Sequence, residues 1–251
     1  MSAAQATVQL PHAGTLGVAM PPLRVPTLER LSASCLRAMQ AHGEIALECE
    51  RVLQRGGINL VSEVLREQGE FVEYDHYPRD DVYDADTRSQ YYFHSHRSAY
   101  GEHGHFHTFL RPPAPDGRKE IKEEDDNIVH LIAISMDDYG WPMGLFATNH
   151  WVTGGLWRDA GETTRLLRDF SIDHAWPSWP VNRWVGAILG LYRPHIEALL
   201  RHRDATISAW SGAYPGEQAL ENRRLEITAY LPIDVAATVR DVNLRLQLNG
   251  L

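Results

Sequence analysis

The sequence predicts an α+β fold: one domain in which an antiparallel β-sheet has helices before it and after it in the chain. Three observations carry this prediction. Residues 27–68 repeat apolar side chains at helical spacing. Residues 90–152 hold short apolar and aromatic runs separated by turn residues, the pattern of strands. From about residue 161 the helical spacing returns, with one strand-like run inside it.

Each element has its own reason. Residues 1–26 carry Pro11, Pro21, Pro22 and Pro26 with Gly14 and Gly17, and read as a flexible arm ahead of a domain spanning 27–251. The arm has no basic segment followed by an apolar core, so it does not read as a signal peptide. Thr27 is placed to cap a helix running to about His42, with Leu28, Leu31, Cys35, Leu36 and Met39 on its apolar side and Gly43 as stop or kink. A second helix is expected over 44–55, burying Ile45, Val52 and Leu53, and a third over about 60–68. The stretch 71–90 carries six carboxylates, Glu73, Asp75, Asp80, Asp81, Asp84 and Asp86, among tyrosines. Their spacing matches no calcium-binding loop, so a solvated surface loop is expected. Strands are expected at 90–96, 104–111, 128–136 and 144–152, with a charged loop at 118–127 and a turn at Gly140-Trp141-Pro142. Helices follow at 161–170, 181–193 and 195–203, then a strand at 225–231. Asp234 is placed to cap a last helix, 235–248.

Composition narrows the function classes. The 251 residues are 43% hydrophobic and 23% charged, which argues against disorder, a coiled coil or a fibre. No run approaches the ~20 apolar residues of a membrane-spanning helix. A net charge of −9 repels phosphate backbones. The expected partner is therefore a small-molecule substrate, with no nucleic acid and no membrane, in a cytoplasmic protein; the oligomeric state stays open. Two cysteines, Cys35 and Cys49, make neither a disulfide framework nor a thiolate zinc site, and they read as small apolar residues.

One segment is chemically distinctive. His94, His96, His103, His105 and His107 place five of the thirteen histidines within fourteen residues, where even scattering would put fewer than one. Residues two apart on a strand share a face, so His94 and His96 point together, as do His103, His105 and His107. If the two strands pair as a hairpin, one register sets His96 opposite His103, His94 opposite His105 and Tyr92 opposite His107. A shift of two residues pairs His96 with His105 and His94 with His107. Either way the rings share one face, with opposed Cβ atoms ~4.5–5.5 Å apart. Neutral imidazole is the commonest metal ligand and suits iron, zinc, copper and nickel. These five histidines are thus the candidate ligands of one transition-metal ion, with iron or zinc ahead of copper. Glu102, in the hairpin loop, is the candidate fourth ligand, acceptor of a histidine N–H, or general base. Tyr92 is placed to contribute a phenol at the rim. His130 reads as a satisfied core or edge residue. Whether His150 reaches the same pocket from the fourth strand stays open, as does a hydrogen-bonding role there for Thr148 and Asn149. Arg158, Arg165 and Arg168 fit either an anionic substrate or ordinary helix-surface charge.

The runs from Gln90 to His96 and from Gly101 to His107, with Thr148-Asn149-His150-Trp151-Val152-Thr153 and Pro180-Val181-Asn182-Arg183-Trp184, resemble an uncharacterised bacterial family of unknown function over most of the chain after residue 27. That resemblance implies no activity. His94, His96 and Glu102 are locally similar to the first motif of cupins, but the gap to Glu102 is longer and Ala147 stands where a later metal-binding histidine would fall. His103-Gly104-His105-Phe106-His107 is locally similar to the histidine-triad nucleotide hydrolases, a resemblance that implies His105 as nucleophile. The expected function is a metal-dependent enzyme acting on a small organic substrate, with an oxidoreductase slightly favoured over a hydrolase. The alternatives are a non-catalytic metal-binding protein and nucleotide chemistry at His105.

Overall fold

In a computed structural model, residues 21–97, 101–112 and 127–250 are described, and the fold is an antiparallel sheet with helices before and after it. The expected N-terminal arm falls mostly outside the described residues, as does most of the charged loop at 118–127. Ser32, not Thr27, caps the first long helix, its side chain accepting from the Cys35 N–H; residues Leu28–Arg30 form a single 3-10 turn ahead of it. Helix α1 then runs unbroken over Ala33–Arg55. Leu36, Met39, Gly43, Ala46, Glu50 and Leu53 recur at alternating three and four residues, so they form one buried stripe. Gly43, expected to end a helix, sits inside α1 for another reason. A Cβ there would stand 2.4 Å from Val239 Cγ2, so the glycine lets α1 approach the last helix closely. A short helix α2, Leu60–Val64, follows, closed by a reciprocal capping box between Asn59 and Ser62.

The sheet has six strands in sequential order: β1 (Tyr77–Asp84), β2 (Ser89–His94), β3 (Gly104–Leu110), β4 (Val129–Met136), β5 (Pro142–Thr148) and β6 (Ile227–Pro232). The surface loop expected at 71–90 is thus corrected: its middle, Tyr77–Asp84, is an edge strand. Tyr77 and Val82 are buried, while Asp80 is exposed and Asp81 partly so. An outer strand tolerates such charge because one of its edges faces water. Asp84 is structural, its carboxylate accepting the N–H groups of Asp86, Thr87 and Asp173.

Four helices lie between β5 and β6: α3 (His150–Thr153), α4 (Ala160–Leu167), α5 (Trp179–Leu191) and α6 (Arg193–Ala213). Helix α6 runs ten residues past its expected end, because Thr206 and Trp210 are buried; Trp210 packs with Ala219 and Leu225. Helix α7, Val235–Leu248, is capped by Asp234 as expected. One face of the sheet packs on the helices: the Phe106 and Trp184 rings lie 5.8 Å apart, and the Tyr91 hydroxyl donates to Asn182 Oδ1 at 2.5 Å. Trp184 in turn donates to the buried Glu50 of α1 at 3.0 Å. No described helix is long and apolar enough to cross a membrane.

Candidate metal centre

The opposite face of the sheet carries the histidines. Strands β2 and β3 pair with His94 opposite His105 and Tyr92 opposite His107, the first of the two expected registers. The period-two pleat sends Phe93 and Phe106 to the helix side and the histidines away from it. The Nε2 atoms of His94 and His105 are 2.7 Å apart. One ring nitrogen from each of His94, His105 and His107 lies within 4.8 Å of the others, a grouping that could hold a metal ion. His105 and His107 are each 1% exposed. The Phe146 ring closes against both of them, and the Arg97 guanidinium lies 4.7 Å from that ring.

Two of these rings are held from behind. His105 Nδ1 donates to Glu102 Oε1 at 2.6 Å, which fixes the tautomer and leaves Nε2 as a lone pair facing His94. Glu102 is itself 3% exposed; it accepts from the Ser135 hydroxyl and lies 3.7 Å from Arg97. Burial raises its carboxyl, and Arg97 and Ser135 work against that rise. The carboxylate is committed to three partners, so the geometry gives it a positioning place on His105 and not that of a free base. His107 is held by His130: His107 Nδ1 and His130 Nε2 are 2.9 Å apart, and His130 Nδ1 is 3.4 Å from Thr148 Oγ1. His107 Nε2 is buried and has no partner among the described residues.

His130 was not expected here. Strict alternation along β4 puts it with Ile132 and Ile134, on the helix side. The ladder, however, sets Thr108 opposite Ile132 and Phe109 opposite His130, so β4 carries one extra residue, Leu131. That bulge reverses the parity of everything before it and swings His130 onto the histidine face. Leu131 joins the helix-side core instead.

The remaining expected residues fall on either side of the cluster. His96 flanks it: its ring is 4.9 Å from His94 and 5.1 Å from His105, and it stacks on Tyr74. His103 is not brought in. Strand pairing ends at His94–His105, and Gly104 packs against Phe93 so closely that a Cβ would lie 2.4 Å from that ring. The His103 ring turns toward Phe71 and Phe93, with Nδ1 3.7 Å from Asp138. Tyr92 forms a wall, its ring 5.2 Å from His94, 5.4 Å from His107 and stacked on His76. His150, in α3, pairs instead with Glu221 at 2.6 Å and the Gly155 carbonyl at 3.0 Å.

Electrostatics keep the cluster neutral. Burial, then electrostatic coupling to the neighbouring His105, His96, His76 and Arg97, pushes His94 down to about 2. Burial, then Arg203 and His105, pushes His130 down to about 3. Burial holds His105 and His107 well below the ordinary imidazole range, with Arg97 adding to this for His105 and His105 itself for His107. Neutral imidazole is the ligand form, so the site presents lone pairs without first losing protons.

Residues 39–233 match the family described as Domain of unknown function (DUF6969). No curated protein and no solved structure matches the chain.

Proposed function

We propose that this chain, which belongs to the DUF6969 family, binds one transition-metal ion through His94, His105 and His107 and uses it as a metal-dependent enzyme on a small organic substrate. The observation that carries the reading is His107 Nε2. It is a buried ring nitrogen with no partner among the described residues, on a ring that offers one nitrogen to the grouping with His94 and His105. An unpaired buried polar atom costs about 1–3 kcal/mol, and a shared cation removes that cost. Three imidazole ligands leave coordination positions for water or substrate. Iron and zinc come before copper, because the grouping contains no sulfur to favour the cuprous ion.

An oxidoreductase is favoured over a hydrolase. Metal-assisted hydrolysis needs a base for the attacking water, and Glu102, the carboxylate bonded to the cluster, is already engaged. The walls are aromatic: Tyr92, Phe109 and Phe146. Nucleotide chemistry at His105 has less support, since the side chain is buried at 1% exposure, out of reach of an α-phosphate.

Metal analysis of untagged protein, purified without a nickel column, tests the reading. About one equivalent of iron or zinc is expected, lost in His94→Ala and in His105→Ala. Less than about a tenth of an equivalent, with no gain on adding iron, zinc or copper, overturns it. Binding of azide or nitric oxide to the loaded protein marks an open coordination position and separates an enzyme from a saturated storage site.

A further inference from the structure

Of the three grouped histidines, only His94 is partly open to water; His105 and His107 are each 1% exposed. An ion therefore enters from the side of His94. Beside it stands a histidine outside the grouping. His76, just before β1, is exposed, its side chain at 41%. Its ring stacks on Tyr92 with centroids 3.5 Å apart and lies 5.8 Å from the His94 ring. His76 Nδ1 donates to Asp81 Oδ1 at 3.0 Å, and Asp81 Oδ2 accepts from Gln90 Nε2 at 2.7 Å. His76 Nε2 is left as a lone pair with no hydrogen-bond partner among the described residues. The arrangement repeats that of Glu102 behind His105: a carboxylate fixes the tautomer, and the far nitrogen faces outward as a metal ligand. The backbone bends to provide it. Pairing passes from Tyr77 opposite Phe93 to Val82 opposite Tyr91, so β1 bulges between them, and Asp81 takes a left-handed φ of 52°.

Distances around His94 fit a hand-over. Two imidazoles that share one tetrahedral ion, each bonded at about 2.0–2.1 Å, have ring centres about 5 Å apart. The His94 ring is 5.8 Å from His76, 4.4 Å from His105 and 5.1 Å from His107. His94 is thus within sharing distance of the exposed histidine and of the buried pair. Charge points the same way. Residues 70–81 carry Glu70, Glu73, Asp75, Asp80 and Asp81 against one basic residue, Arg79. Glu70, Glu73, Asp75 and Asp80 are exposed, so His76 stands in a field that concentrates cations.

We propose that His76 captures a divalent transition-metal ion from water and delivers it through His94 to His105 and His107, with the carboxylates of residues 70–81 drawing it in. Imidazole suits zinc, iron, copper and nickel, whereas magnesium and calcium take oxygen ligands and have no use for this route. Each hand-over forms one metal–nitrogen bond and breaks another bond to the ion, which keeps its charge. The proposal rests on the metal reading above and adds how that site fills. A route differs from a resident ligand in what it changes. It lowers the barrier to entry and to exit alike, so it alters both rates and leaves affinity as it was.

Stopped-flow mixing of metal-free protein with cobalt(II), a coloured stand-in for zinc, reads the loading rate; a chelator reads release and, at equilibrium, affinity. His76→Phe keeps a ring to stack on Tyr92 and removes the ligand nitrogen. It is expected to slow loading and release by about tenfold each, with cobalt affinity and stoichiometry unchanged. The double variant Glu73→Gln, Asp75→Asn changes only exposed side chains and keeps the test readable if His76→Phe does not fold. It is expected to slow loading by about threefold at low salt, a difference that about 0.5 M salt removes. A folded His76→Phe that loads at the wild-type rate overturns the proposal while the metal site stands. If that variant does not fold, unchanged loading in the carboxylate variant overturns it. Weaker affinity in His76→Phe with an unchanged loading rate makes His76 a resident ligand and overturns the route. No binding of cobalt or zinc by the wild type sinks the metal reading, and this inference with it.

Discussion

The two faces of the β2–β3 hairpin share one backbone and one ladder, and they are built from opposite chemistry. Toward the helices stand Tyr91, Phe93, Phe106 and Leu110, packed with Trp184 in the main core. Away from the helices stand Tyr92, His94, His105 and His107, equally closed to water except at His94. The first face gains from burial, since its side chains leave water with one polar group among them, the Tyr91 hydroxyl, which Asn182 satisfies. The second must spend contacts on holding polar rings in one tautomer: Glu102 on His105, His130 on His107. A buried polar face kept at that cost is where chemistry is to be expected.

Acid should separate the faces most. The metal-free protein is the clean case, because a bound ion would hold the rings itself. The folded pKa values of His94, His105, His107 and His130 are depressed, whereas in the unfolded chain each titrates near 6.5. Below pH 6.5 the unfolded chain binds more protons than the folded one. Stability is therefore complete above that pH and is lost as pH falls toward about 3 for His130 and about 2 for His94. The loss is on the order of 1 kcal/mol per ring for each pH unit below 6.5. Glu50 and Glu102, whose carboxyls burial raises, act in the opposite direction. Urea midpoints should hold between pH 7.5 and about 6.5 and then fall steadily to pH 5; a flat profile throughout would mean that the rings are not buried neutral. Replacing Phe106 with Ala probes the other face. The ring is fully buried, so stability should drop by about 3–5 kcal/mol, while the slope of stability against pH between 7 and 5 stays that of the wild type. A changed slope would show that the faces are not independent.

What the sequence revealed of this hairpin follows from parity. Inside a ladder the side-chain period is two, so the joint placement of His94, His105 and His107 could be read from spacing alone. Parity fails where the ladder ends or slips. His103 keeps the phase of His105 but lies one residue before β3 begins, and its ring turns the other way. His130 has the wrong phase and arrives through the Leu131 bulge, a feature that depends on pairing with β3 and not on any local signal. The same distinction holds for the fold. The apolar strands and the Asp234 cap were legible because their cause is local. The edge strand β1 was not, because its charges match those of a loop and only its pairing with β2 defines it. Gly43 was read as a break because the nearness of Val239 cannot be seen in one dimension.

His103 supplies the smallest expected effect, and the most direct test of the boundary between the faces. Its ring contacts are aromatic neighbours at 6.0 and 6.2 Å, and its one charged neighbour, Asp138, is exposed. An exposed pair of that kind contributes between zero and about 1 kcal/mol. The structural duty at this position belongs to the backbone, whose N–H donates to the Met136 carbonyl and whose carbonyl accepts from Ser95. His103→Ala keeps both of those bonds. The variant should therefore lose less than about 1 kcal/mol of stability and keep the metal content of the wild type, whereas His105→Ala, two residues along, should lose the metal. Parallel metal analysis of the two variants reads the difference. Equal loss in both would place His103 among the ligands and would mean that the strand pairing extends one step further than the ladder between His94 and His105.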